Sequence, residues 1–174
     1  MTIRGIDFSK LSLKDALDLA ILIEEEAQER YDEFSDQMDI HRTPEAAAFF
    51  RTMSGNEQRH GQELRERRER LFPKEPRTVN RSMLFDVEAP DYDQARAFMT
   101  PRQAMQSALR SEEKAHAFFV AALPRIQDPE VKALFEELRD EEVEHQDLVK
   151  QAMGKLPPDS GPPPEGFVDD PMAQ

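Results

Sequence analysis

Four stretches of the chain place apolar residues three and four positions apart, which is the spacing of an amphipathic helix. They predict helices over residues 13–39, 44–71, 101–123 and 129–153. Ser12 is the predicted N-cap of the first helix, and Thr43 and Thr100 are predicted to cap the second and third. Pro44, Pro101 and Pro129 each open a helix at its first position, as is typical of helix starts. Pro73 and Pro124 end the second and third helices, and Gly154 is predicted to end the fourth. The pattern therefore predicts an all-α four-helix bundle.

Two segments lack helical periodicity. Residues 72–99 contain Pro, Asp and Asn together with apolar residues such as Met83 and Phe85. Because this segment is too apolar for a free linker, we expect a long crossover that lies on the bundle between the second and third helices. Residues 155–174 are rich in proline and are expected to form an extended or disordered tail. The helical domain is therefore predicted to comprise residues 1–154.

Glutamates and histidines interrupt the apolar faces of all four predicted helices. The first and third helices carry one such glutamate each, and the second and fourth carry a Glu-x-x-His pair each, whose members share a face. These residues are Glu24, Glu57, His60, Glu112, Glu142 and His145. Burying a carboxylate without a partner costs several kcal/mol. We therefore expect a cation between the helices.

The two halves of the chain form an internal repeat. Shifting the first helix by 88 positions places Glu24 on Glu112, and shifting the second by 85 places its Glu-x-x-His pair on that of the fourth. The repeat selects Glu112 rather than its neighbour Glu113, and the helical wheel makes the same selection independently. A second candidate on the third helix, His116, lies near Glu112 on the wheel and could be an extra ligand or a proton carrier. Its repeat mate is Gln28, which favours a position at the rim.

The six residues have a chemistry that suits two metal ions. Four carboxylates carry a combined charge of −4, which two divalent ions would balance. Oxygen-rich ligands with one imidazole per metal favour iron or manganese over copper or structural zinc. We therefore expect two iron ions, with manganese as an alternative, and the set matches that of ferritin-like di-iron and di-manganese bundles. The competing interpretation is a charged bundle whose histidines are satisfied core residues.

Composition narrows the remaining possibilities. The net charge of −13 disfavours nucleic acid and anionic membranes as partners. The absence of cysteine excludes disulfides, thiolate metal sites and thiol catalysis within this sequence. Residues 1–8 have no apolar core of signal-peptide length and no stretch approaches the length of a membrane span, so we expect a cytoplasmic protein.

Residues 23–31, 128–138 and 141–145 resemble the rubrerythrin group of the ferritin-like superfamily, and the resemblance covers roughly residues 12–153. It implies a ferritin-like four-helix bundle with a carboxylate-bridged di-iron site, in which Glu57 and Glu142 are the bridges and Tyr31 hydrogen-bonds a ligand carboxylate. Two features depart from the family: no cysteine is present for a rubredoxin domain, and Ala115 replaces a further glutamate. The six-ligand set looks more like bacterioferritin or an erythrin without rubredoxin.

The leading functional hypothesis is a di-iron oxidoreductase that reduces hydrogen peroxide or oxidises ferrous iron, with an external electron donor that the sequence does not identify. The alternatives are an iron-storage component of a cage or shell, a manganese catalase-like enzyme and a non-catalytic bundle. We also expect a homodimer, because Leu22, Phe49 and Phe118 are predicted to form apolar strips on the outside of the helices.

Overall fold

The computed structural model describes residues 7–40, 42–83 and 100–157. Its long helices are α1 (Leu13–Ile40), α2 (Pro44–Leu71), α3 (Pro101–Ala122) and α4 (Pro129–Lys155). α1 packs along α2, and α3 packs along α4, so the bundle consists of two helical hairpins. Within these ranges there is no strand, and the prediction of an all-α four-helix bundle is confirmed. No helix in the described part of the chain is both long and apolar enough to cross a membrane.

The start of each helix shows how local sequence fixes its position. The Ser12 hydroxyl accepts a hydrogen bond from an amide in the first turn of α1, and Thr100 forms a complete capping box with Gln103 at α3. At α2 the expectation of a side-chain cap is wrong, because the Thr43 hydroxyl instead donates to the Met38 carbonyl, 2.9 Å away, near the end of α1. The Thr43 backbone amide donates to the same carbonyl at 2.9 Å, so Thr43 closes the end of α1 through both of its donors.

The predicted end of α4 at Gly154 is also wrong. The helix continues through Gly154 to Lys155. Leu156 then adopts an extended conformation with φ −78° and ψ 145°, because the ring of the following Pro157 disfavours helical geometry in the residue before it. Proline rather than glycine therefore ends α4. The other predicted ends, at 39, 71 and 123, differ from the observed ones by at most one residue.

The described part of the crossover lies against α1. Lys14 donates to the Pro76 carbonyl and to the Thr78 hydroxyl, each at 3.1 Å. Val79 is buried and belongs to the apolar core, and Arg81 lies at the start of a short 3₁₀ turn, Arg81–Met83. These contacts match the expectation that the crossover lies on the bundle. Residues 84–99 and 158–174 lie outside the described residues, so the expectations for the second half of the crossover and for the tail stay predictions.

Apolar side chains form two separate clusters. One includes Leu17, Ile21, Phe119, Phe135 and Leu138. The other includes Phe34, Met38, Phe50, Met53 and Val149. Along every helix, the glutamates and histidines singled out above fall between the residues of these two clusters. The bundle therefore has apolar layers on both sides of a polar one.

The outer apolar strips predicted from the sequence do not exist as such. Leu22 and Phe118 are each only 5% exposed and belong to the core of this single chain, and Phe49 is partly buried against the second cluster. Phe118 packs against Phe8 with ring centroids 5.8 Å apart, so residues preceding α1 cover it. The homodimer stays a prediction, without the support of these residues.

A buried ion pair joins α1 to α2 beyond the first apolar cluster. Asp18 is fully buried, and its carboxylate accepts hydrogen bonds from the Arg68 guanidinium at 2.9 and 3.4 Å. Arg68 also donates to the carbonyls of Phe72 and Glu75, which follow α2. Nearby, a cleft of about 320 Å³ is lined by residues that include Asp18 and Arg68. The pair therefore ties the first turns of α1 to the chain that leaves α2.

Replacing Asp18 with alanine is expected to lower the free energy of unfolding by about 2–3 kcal/mol, because the Arg68 guanidinium loses its carboxylate in a largely dry environment. Chemical denaturation followed by circular dichroism measures the change. Glu29→Ala is the matched control, since the Glu29–Arg81 pair is about half exposed and should contribute roughly 0.5 kcal/mol or less. Equal losses in the two variants would contradict this account.

Candidate metal centre

The six residues predicted as ligands all lie in the polar layer between the apolar clusters. Five of them are at most 5% exposed: Glu24, Glu57, Glu112, Glu142 and His145. The His60 side chain is slightly more open, at 14%. By contrast, Glu113 is exposed, so the structure makes the same distinction between adjacent glutamates that the helical wheel makes.

The contacts of the two histidines involve residues of all four helices. The His60 and His145 rings are stacked, with centroids 5.3 Å apart and planes inclined by only 4°. His145 Nδ1 lies 3.3 Å from a Glu57 carboxylate oxygen and 3.5 Å from one of Glu112. His60 Nδ1 lies 3.9 Å from a Glu24 oxygen. Each imidazole therefore faces carboxylates from other helices.

In the part of the chain that the structure describes, three groups of side chains place their donor atoms within 4.8 Å of one another, a spacing that one metal ion could span. The groups are Glu57 with His60 and His145, Glu24 with His60 and Glu141, and Glu112 with Glu142 and His145. All six predicted residues occur in these groups. Glu57 shares its group with both histidines.

Glu141 was missed by the sequence analysis. It lies one position before Glu142, off the apolar face of α4, and it is only half-buried, so the helical wheel did not select it. The internal repeat gave no signal either, because the position 85 residues earlier is Asn56. Its long side chain nevertheless reaches the group of Glu24 and His60.

The carboxylates and imidazoles shift one another's protonation. Burial, followed by the charge of Glu57, raises the pKa of Glu24 well above its ordinary value. Burial also raises the pKa of Glu141 to about 7. Burial alone would lower the pKa of His145, but the hydrogen bond and charge of Glu112 outweigh it and raise that pKa. Burial and the neighbouring His145 lower the pKa of His60. The protonation of each of these groups therefore depends on its burial and on the charges of its neighbours.

Unpartnered buried atoms test whether the site fits a cation. Among the described residues, Glu24 Oε2 and His60 Nδ1 are buried and have no hydrogen-bond partner. Their separation of 3.9 Å is too long for a hydrogen bond, although a divalent ion between them could contact both. Buried polar atoms are rarely left unsatisfied, and an oxygen-rich set with imidazoles is suited to iron or manganese. The residues present therefore fit a pair of such ions.

Two further candidates are placed differently. Tyr31 is buried and stacks on Phe50 with ring centroids 6.0 Å apart, but its hydroxyl has no hydrogen-bond partner in the described ranges. The bond to a ligand carboxylate that the family resemblance implies is thus not made in this structure. His116 is half-buried and belongs to none of the three donor groups, in line with a position at the rim. Ala115 is fully buried where a further glutamate would otherwise lie.

The metal-free protein is expected to lose stability as the pH rises from 4.5 to about 7. Folded Glu141 holds its proton up to about pH 7, whereas its ordinary value is 4.5, so the folded state binds more protons across this range. Among the described residues, the raised pKa values of Glu24 and Glu26 act in the same direction, as does that of His145 above its ordinary value of 6.5. The lowered pKa of His60 and, near pH 4.5, that of Glu29 oppose them. Thermal unfolding of chelator-treated protein measures the slope, which Glu141→Gln should reduce. A flat or rising profile would contradict the assignment.

Known proteins resemble this chain in sequence and in structure. The Rubrerythrin family model matches residues 15–93, which include α1, α2 and part of the crossover. An uncharacterized conserved protein from Magnetospirillum magnetotacticum MS-1, known from a crystal structure, is 30% identical in sequence to this chain. The two structures match with a TM-score of 0.70, and the match covers 87% of this chain and 100% of that one. No curated protein matches the chain significantly. The chain belongs to the rubrerythrin-like group of the ferritin-like superfamily.

Proposed function

We propose that this chain is a non-haem di-iron carboxylate oxidoreductase that reduces hydrogen peroxide or oxidises ferrous iron with dioxygen or peroxide. The observation that carries the proposal is the set of three donor groups linked through two stacked histidines. Seven of the described residues share these donor groups, which is more than one octahedrally coordinated ion takes. Family membership supports a di-iron carboxylate centre independently.

The geometry suggests a role for each residue. Glu24, His60 and Glu141 would hold one ion, and Glu112, Glu142 and His145 the other, with Glu57 shared between them. Glu142 is expected as a second bridge on the basis of the family resemblance. Two bound ferrous ions would supply the two electrons that, with two protons, convert one peroxide molecule into two waters. In the metal-free protein, burial raises the pKa of the half-buried Glu141 to about 7, so this carboxylate would release its proton near neutrality as it binds an ion.

The source of electrons separates the two candidate reactions. Repeated peroxide reduction needs a reductant that returns both ferric ions to the ferrous state, and this sequence contains no cysteine that could hold a rubredoxin-type iron centre. Ferrous oxidation needs no separate donor, because the substrate iron is itself the reductant. The absence of cysteine therefore favours ferroxidation, the second candidate, over repeated peroxide reduction. In a wider form of this candidate, the oxidised iron would be delivered to a storage cage or shell.

Anaerobic titration of the metal-free protein with ferrous iron is expected to end at about two ions per chain. Glu57→Ala should bind at most one ion tightly and should react with oxidant at least about 100-fold more slowly, because both ions lose a shared ligand. Glu113→Gln is the matched control, since Glu113 is the exposed neighbour of a ligand glutamate. It should behave like the unaltered protein. A folded protein that binds neither iron nor manganese would support the non-catalytic bundle instead.

Mixing the iron-loaded protein separately with peroxide and with dioxygen, under identical conditions, distinguishes the reactions. Faster oxidation by peroxide, with repeated turnover when a reductant is supplied, indicates a peroxidase. Faster oxidation by dioxygen, accompanied by assemblies that fill with ferric iron, indicates ferroxidation and storage. Oxygen release from peroxide by manganese-loaded protein, without any reductant, would instead indicate the catalase-like alternative.

A further inference from the structure

A small cavity lies between α1 and α3, directly beside the candidate metal centre. Its volume is about 20 Å³, which is room for roughly one water-sized molecule. Buried Tyr31, Phe34, Ala108 and Glu112 line its inner side. Half-buried residues, including Arg30 and Ser111, line the side nearer the surface. The cavity thus extends from the surface of the bundle to one of the predicted ligands.

The polar groups in this cavity suit a small hydrogen-bonding guest. Tyr31 is only 2% exposed, yet its hydroxyl has no hydrogen-bond partner among the described residues. A buried hydroxyl without a partner costs free energy, so a guest that accepts its hydrogen bond would be stabilised. The Glu112 carboxylate, a predicted ligand, lines the same cavity.

The internal repeat shows that this cavity occupies one of two equivalent positions between α1 and α3, the one beside Glu112. Under the shift of 88 positions, the equivalents of Arg30, Tyr31 and Ser111 are apolar residues. They are Phe118, Phe119 and Ile23, each at most 5% exposed and part of the first apolar cluster. The equivalent position beside Glu24 is therefore filled by packed side chains. Beside Glu112, polar residues and a void take their place.

We propose that this cavity admits the oxidant and holds it at the Glu112 side of the centre, where the Tyr31 hydroxyl donates a hydrogen bond to it. This inference rests on the proposed function. It adds the side from which the oxidant approaches the centre and an upper limit on the size of the oxidant. Hydrogen peroxide and dioxygen are the oxidants closest in size to the one water-sized molecule that the cavity holds, whereas an organic hydroperoxide with an aromatic group is several times larger. Tyr31 then contacts the substrate rather than a ligand carboxylate.

Ser111→Leu tests the direction of approach, because the larger side chain fills the outer part of the cavity without altering a ligand. Nitric oxide is the probe, since it binds ferrous iron without turnover and gives an optical signal. We expect nitric oxide binding and oxidation by hydrogen peroxide to slow by about tenfold or more, with unchanged iron stoichiometry. Gln106→Leu is the matched control, since it adds the same side chain at an exposed position of α3. Rates in Ser111→Leu equal to those in the control would overturn the proposal.

Tyr31→Phe tests the hydrogen bond while keeping the shape of the cavity. Peroxide oxidation is expected to slow by about tenfold, whereas nitric oxide binding, which depends less on a hydrogen-bond donor, should change little. An unchanged peroxide rate would remove Tyr31 from the proposal. In the unaltered protein, cumene hydroperoxide should react far more slowly than hydrogen peroxide, and equal rates would overturn the size limit.

Crystals of the metal-free protein, soaked in hydrogen peroxide, separate this inference from the proposed function. Density for a peroxide or an ordered water within hydrogen-bond distance of the Tyr31 hydroxyl supports the cavity as a binding site. A cavity without density in both soaked and unsoaked crystals overturns it. If iron-loaded protein reacts with neither oxidant, the proposed function fails, and the nitric oxide rates and the soaked crystals still decide whether the cavity admits small molecules.

Discussion

The repulsion among four buried carboxylates is the constraint on which the rest of this structure depends. Glu24, Glu57, Glu112 and Glu142 come from four different helices and meet in a layer with apolar clusters on both sides. Burial, followed by the charge of Glu57, raises the pKa of Glu24, so the carboxylates of this layer are held close together at a cost in free energy. The apolar layers stabilise the bundle. Burial of the carboxylates in the polar layer between them costs free energy, which a bound cation would offset.

The hairpin architecture explains how the chain tolerates such a layer. The Asp18–Arg68 pair and the contacts of Lys14 with the crossover tie one end of the first hairpin together. At the other end of the bundle, Arg102 donates to the carbonyls of Met153 and Leu156 and so joins the start of α3 to the end of α4. Because both ends are fixed by interactions that need no metal, the carboxylates are held close together before any ion arrives.

Helical periodicity in the sequence correctly predicted which of the candidate glutamates are buried. Glu112 was separated from Glu113 because only one of two adjacent positions can face the core of a helix, and the structure buries only the first. The approach failed for Glu141, whose flexible side chain reaches the site from a position outside the apolar face. It failed again at Thr43, where a contact with another helix redirects the hydroxyl. Such errors arise because side-chain reach and contacts between helices are not encoded in periodicity.

The internal repeat gives the bundle near-symmetric ligands, but the surroundings of those ligands are not symmetric. Tyr31 and Phe119 occupy equivalent positions, yet one lines a cavity and the other packs in an apolar cluster. A symmetric pair of ions would offer an oxidant two equivalent approaches, and one of these is closed by aromatic packing. The polar layer would therefore hold the proposed metal pair, whereas the asymmetry between the two positions would set the side from which a small molecule reaches it.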